Sequence, residues 1–168
     1  MTQSASKTQI LLAWSAVVSM VVFVALGFAW HGFSAEVLGR IWRNVLERPA
    51  GPMTFRFILQ PVMAAMAALY DGVKDARIGR SRYLWTILTL PEKRGGRLRE
   101  GLISTARIIL LGLGMDTIYQ AIVFDYFHPA EAVVIALLLA FVPYVLLRGP
   151  AARVARWWLG ADAARNIR

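Results

Sequence analysis

The sequence predicts an all-α integral membrane protein: a helical bundle of about four transmembrane helices plus one interfacial amphipathic helix. Three observations lead there. Of the 168 residues, 58% are hydrophobic and 17% charged, with a mean hydropathy of +0.53, against roughly 45–50% and about 25% in soluble domains. Several long apolar runs match the roughly 30 Å hydrocarbon layer. The formal charge of +9 gathers in two stretches that flank such runs, as in cytoplasmic segments facing anionic lipid. A mass of 18.7 kDa suits a single domain. The absence of cysteine excludes a disulfide framework, thiolate metal sites and a cysteine nucleophile.

The elements follow in chain order. Residues 10–30 carry no charge, and at about 1.5 Å per residue they cross the hydrocarbon. A cleaved signal peptide is the rival reading. Yet the run outlasts an h-region of about 7–15 residues, Lys7 is the only basic residue before it, and Phe33 spoils the small-x-small pattern before Ala35. An uncleaved anchor is expected. In residues 34–48, Val37, Leu38, Ile41, Trp42, Val45 and Leu46 recur at helical spacing, while Glu36, Arg40, Arg43, Asn44 and Glu47 take the other side. This predicts an interfacial amphipathic helix, stopped by Pro49-Ala-Gly-Pro52.

Residues 53–70 form a second span, interrupted by Arg56 and Gln60-Pro61, with Arg56 near enough to one end to snorkel. Residues 71–101 read as a basic cytoplasmic loop. Within it, 71–77 is a polar, helical-looking continuation of the second span, Tyr83 and Trp85 mark an interfacial segment too short to cross, and 91–99 is basic and turn-rich. Residues 102–124 form a third span carrying Arg107, Asp116 and Gln120, and 132–147 a fourth, bent at Pro143. In the tail, 148–168, arginine interleaves with tryptophan. Beside a span, Arg153, Arg156, Trp157 and Trp158 are better read as a lipid-headgroup anchor than as a nucleic-acid surface.

Orientation follows from the basic residues. Residues 71–101 hold eight Lys/Arg and four Asp/Glu, the tail holds five Arg and one Asp, and 125–131 holds neither Lys nor Arg. The 71–101 segment and the C-terminus are therefore expected inside and the 125–131 turn outside. Four spans put the N-terminus inside as well, which leaves Arg40, Arg43 and Arg48 outside. The alternative is three spans, with 53–70 re-entrant or interfacial and the N-terminus outside.

Intramembrane charge is costly, so Asp116 demands a partner. Gln120 lies four residues on, on the same face, with Gly112 and Thr105 close to it. In the second span, steps of three or four join Arg56, Gln60, Ala64, Ala67, Asp71 and Asp75. Antiparallel packing sets Gln60 level with Asp116 and Arg56 level with Gln120, and an extended arginine reaches down to Asp116. The cluster Arg56, Gln60, Asp116 and Gln120 thus reads as a polar clasp between two helices, with a proton or ion relay as the competing reading. Arg107 lies on the opposite face from Asp116; lipid phosphate is preferred over Asp71 as its partner.

The outer turn contains His128 and Glu131, with His31 on the same side. Pro129 at the first helical position and Glu131 at the third explain the turn without a metal, and no HExxH or comparable spacing supports one. No Walker loop, GxSxG elbow or dinucleotide fingerprint is present, and Gly112-Leu-Gly114 is too short for a phosphate loop. Ser104 and Thr105 lack a histidine at their depth, which argues against a serine hydrolase. No catalytic residue, cofactor or metal is expected.

The strings Phe55-Arg-Phe-Ile-Leu-Gln-Pro61, Asp71-Gly-Val-Lys-Asp-Ala-Arg77, Met115-Asp-Thr-Ile-Tyr-Gln120 and Phe141-Val-Pro-Tyr-Val-Leu-Leu-Arg-Gly-Pro150 resemble a family of uncharacterised small bacterial integral membrane proteins, over roughly residues 53–158. The resemblance implies a bacterial membrane location and no catalytic residue. The expected role is accessory or structural, in association with the same chain or a larger membrane complex, with the lipid bilayer and its anionic cytoplasmic headgroups as partners and no nucleic acid. A small oligomeric transporter or channel using the Asp116 cluster is the alternative, and an enzyme acting on lipid a third class.

Overall fold

The computed structural model describes residues 5–32, 34–47, 53–81, 83–124 and 126–165. Phe33, Arg48, the 49–52 stop, Asp125 and the last three residues of the tail lie outside them. Every element among the described residues is helical: α1 (Lys7–His31), α2 (Ala35–Glu47), α3 (Arg56–Arg77), α4 (Tyr83–Thr89), α5 (Pro91–Val123), α6 (Pro129–Ala136), a π turn (Leu137–Phe141) and α7 (Val142–Arg165). Among the described residues, three helical stretches are long and apolar enough to cross a membrane: α1, α5, and the continuous run Pro129–Gly160 through α6, the π turn and α7.

Local chemistry accounts for the boundaries. A capping box opens α1: Gln9 N–H donates to Ser6 Oγ at 3.2 Å and Ser6 N–H to Gln9 Oε1 at 2.9 Å. Gly32 closes it at φ 67°, a left-handed conformation that favours glycine. Pro143 has no N–H to return to the Leu139 carbonyl, and the preceding backbone widens, with Val142 N–H bonding Leu137 O.

The expected 71–101 loop is corrected. Its first residues continue α3 to Arg77, as their helical look suggests, but α4 occupies 83–89 and α5 already starts at Pro91. Pro91 starts a helix rather than breaking one, because the first helical position needs no N–H donor. Gly95 and Gly96, within the stretch expected to be turn-rich, are carried inside α5, held by Arg94 Nε donating to Ile87 O at 2.7 Å and by Tyr83 OH donating to Arg97 O at 2.7 Å. The tail is likewise the second half of α7 up to Arg165, and the helix expected over 132–147 already begins at Pro129, as α6.

The longest contact runs between α3 and α7. Gly72 makes it possible: a Cβ there would stand 2.7 Å from Ala151 Cβ and 2.9 Å from Arg148 O. α1 packs on α5 and α6, where a Cβ on Gly27 would stand 2.6 Å from Ala130 Cβ, and it makes little contact with α3. The core is built largely from small residues, among them Ala64, Ala68, Ala106, Ala132, Ala136 and Ala140, around Ile109, Leu113, Tyr83 and Tyr144. Backbones therefore approach closely, as they do between helices in lipid.

The sidedness of α3 is inverted relative to a soluble helix. Arg56, Gln60, Ala64, Ala68, Gly72 and Asp75 are buried, while Ile58, Leu59, Val62, Met66 and Leu69 face outward. Water would favour the reverse.

Candidate functional site

Polar side chains are gathered at three levels of the bundle. At the deepest, α3 and α5 bring Arg56 Nη2 within 2.8 Å of Asp116 Oδ1, both side chains fully buried. The guanidinium also lies over the Tyr119 ring, 4.8 Å from its centroid, and over Phe57 at 5.3 Å. Gln120 Nε2 donates to Asp116 Oδ2 at 2.6 Å and to His128 O at 3.1 Å, and its Oε1 accepts from His128 N–H at 2.6 Å. Gln60 sits a turn along α5 from Asp116, with Nε2 3.9 Å from Met115 Sδ and 3.1 Å from where a Gly112 Cβ would lie. The four sequence-predicted residues therefore share one interface, with Arg56 ion-paired to Asp116 and Gln120 hydrogen-bonded both to Asp116 and to the turn at His128.

At the charged end lies a larger network. Arg148 of α7 donates to Asp75 of α3 through Nε (2.8 Å) and Nη2 (3.1 Å), to Glu100 Oε2 through Nη2 (3.3 Å) and to Tyr144 OH through Nη1 (2.6 Å). Arg97 of α5 meets Asp75 at 3.4 Å and Glu100 at 3.3 Å, and donates to Ser81 O at 3.0 Å. Arg80 meets Glu100 at 3.1 Å and Asp75 at 3.6 Å. Asp71 accepts from Ser104 Oγ and Tyr144 OH, each at 2.6 Å. The Tyr83 ring lies under Arg148, 4.3 Å from its guanidinium carbon. Burial pushes the Tyr83 phenol up to about 12, against the opposing pull of Arg148, so it stays a donor. Beside the network is a polar cavity of about 560 Å³.

The third group closes the other end. Glu131, buried at the start of α6, accepts from Asn44 Nδ2 at 3.1 and 3.0 Å and lies 3.5 Å from Arg40 Nε, which docks α2 on α6. The His31 and His128 rings lie 4.6 Å apart. Burial holds His128 below the ordinary histidine range, although Glu131 pulls it up. Among the described residues no group of three His, Cys, Asp or Glu is placed to hold a metal ion.

The expected anchors divide. Arg107 is exposed on α5, as are Arg153, Trp157 and Trp158 on α7. Arg156 turns back onto the protein, with Nη1 donating to Arg80 O at 3.3 Å and Nε to Ala152 O at 3.2 Å. These two carbonyls come within its reach because α7 continues as a helix past the α3–α4 turn.

Sequence reasoning misses Arg97 and Arg148, which read as loop and tail charge, and the docking role of Glu131. The available signal is the Asp71–Asp75 step at the end of the α3 stripe: two acids on a buried face require cations. Searches of family models, curated proteins and solved structures find no match for this chain.

Proposed function

We propose that the chain is a multi-pass protein of the bacterial inner membrane, with four spans and a cytoplasmic C-terminus, and with an accessory or structural role: a helical module that associates with itself or with a larger membrane complex. The observation that carries this reading is the buried Arg56–Asp116 pair at 2.8 Å, enclosed by Tyr119 and Phe57. A group that relays ions or protons must exchange partners along a path. A buried ion pair between α3 and α5, joined through Gln120 to the 126–131 turn, suits a contact that holds helices together.

The inverted face of α3 supports its reading as a fourth span, since its 22 residues reach about 33 Å with apolar side chains outward. The exposed apolar face of α1, including Trp14, Val18, Val21 and Val22, suits lipid and a neighbouring chain alike.

Photo-crosslinking from positions 14 and 21 in intact membranes tests the role. A discrete adduct to a second copy or to one other protein is expected. Lipid adducts alone would overturn the associating role, and proteoliposome flux that Asp116→Asn abolishes would replace it with transport.

A further inference from the structure

The cavity at the charged end has a composition that the clasp does not explain. Its wall comes from the first turn of α1, the end of α3, the start of α5 and Arg148 of α7. Three carboxylates stand in it, and all are engaged. Asp75 is held by Arg148 and Arg97, Glu100 by Arg80, Arg97 and Arg148, and Asp71 by Ser104 and Tyr144.

Two cations on the same wall, Lys74 of α3 and Arg99 of α5, have no hydrogen bond or ion pair with any described residue. The wall and the network behind it thus carry five cations, at 74, 80, 97, 99 and 148, against three engaged carboxylates. The N-terminus of the 25-residue α1 also borders the cavity through Gln9 and Ile10, with no acid in its first turn. Its dipole adds partial positive charge on that side.

Size and polarity narrow the ligand. About 560 Å³ falls within the roughly 300–1,000 Å³ of small-molecule sites, more than a simple inorganic ion requires. Ile10, Tyr70 and Ile103 give the same cavity an apolar side, and α1 and α3, which border it, are barely in contact with each other. We propose that this cavity binds a phosphate-bearing anion with an apolar or polyol substituent. Its phosphate lies between Lys74 and Arg99 near the α1 N-terminus, and its substituent lies toward Ile10 and Tyr70. A lysine point charge opposite an arginine fork suits the several oxygens of a phosphate. The source is a phospholipid headgroup entering between α1 and α3 or a soluble phosphate ester entering from the aqueous side. Only the lipid source rests on the membrane reading above.

The test uses the full chain in a neutral detergent, with phosphatidylglycerol, phosphatidylcholine, glycerol 3-phosphate and inorganic phosphate as probes, read by native mass spectrometry and by ligand-induced shifts in thermal unfolding. Saturable binding of phosphatidylglycerol or glycerol 3-phosphate is expected. The first binding alone assigns the lipid, and competition by the second assigns a soluble ester.

Lys74→Gln with Arg99→Gln breaks no ion pair among the described residues and is expected to weaken binding about tenfold or more. Arg77→Gln with Lys93→Gln removes two exposed charges outside the cavity wall and is expected to leave binding unchanged. Gly96→Trp fills the cavity from a position whose Cβ direction is open, and is expected to block binding without altering charge. The proposal is overturned if no probe saturates, if both charge pairs weaken binding equally, or if Gly96→Trp binds as the parent does.

Discussion

Arg148 and Asp75, 73 positions apart in the chain, are joined by two side-by-side hydrogen bonds, Nε to Oδ2 at 2.8 Å and Nη2 to Oδ1 at 3.1 Å. Both side chains are almost wholly buried, at 4% and 3% exposure. The fork geometry fixes the rotation of α7 about its own axis relative to α3 as well as its height along it.

Breaking this pair is expected to destabilise strongly. Arg148→Met or Asp75→Asn alone strands charge or donors in a dry site, a loss of about 3–5 kcal/mol. Arg148→Lys is expected to lose much of the same, because an ammonium cannot satisfy both oxygens in plane. Thermal unfolding in detergent is the measurement, and parent-like midpoints for Arg148→Met would refute the assignment.

The clasp between α3 and α5 is expected to show coupling. Arg56→Leu and Asp116→Leu should each lower the unfolding midpoint, and the double variant should be more stable than the sum of the two losses implies. Couplings between membrane helices are often under about 1 kcal/mol, and full burial of both charges puts this one above that. Strict additivity of the two losses is the adverse result.

Gly72 is expected to tolerate no larger residue. Its Cβ direction meets Ala151, Ala152 N and Arg148 O within 2.9 Å, so Gly72→Val forces α3 and α7 apart at the cost of about 1–3 kcal/mol. Gly114, which has open space in the same direction, serves as the comparison: Gly114→Val should cost markedly less.

Acid is expected to weaken the packing around His128. The folded protein holds His128 below its ordinary value, so between that lowered pKa and about 6.5 the unfolded chain binds more protons. This contribution to stability is fully present above about pH 6.5 and is lost as the pH falls below it, while His31 and Arg40 add repulsion to a charged His128 and Glu131 opposes them. Unfolding midpoints at about pH 7.5 and about pH 5.5, either side of the ordinary histidine value, should separate more for the parent than for His128→Gln; equal separation would remove His128 from the account.

Topology is directly testable because the chain has no cysteine of its own. Single cysteines at positions 88 and 128 and at the C-terminus are expected to label from inside, outside and inside. Position 44 decides between four spans and three: outside labelling supports α3 as a span, and inside labelling removes it.

Much of the helical content was legible because it is local. Charge-free length marked α1, and steps of three and four placed Arg56, Gln60, Asp116 and Gln120 on two polar stripes. The structure sets Arg56 and Asp116 2.8 Å apart. The 71–101 segment misled because Pro91 and Gly95-Gly96 carry the same local signals whether they end a helix or lie within one. Contacts with α4, through Tyr83 and Ile87, settle the matter in favour of α5.

The sequence by itself determined that this chain is helical, apolar and asymmetrically charged, since composition and periodicity are properties of neighbouring residues. Only the tertiary structure decided which cation meets which carboxylate. Arg97 and Arg148 look like solvated flanking charge until the Gly72–Ala151 approach sets the register of α3 against α7 and draws Arg148 into reach of Asp75. That register depends on how two helix surfaces interlock, and no spacing along either helix alone encodes it.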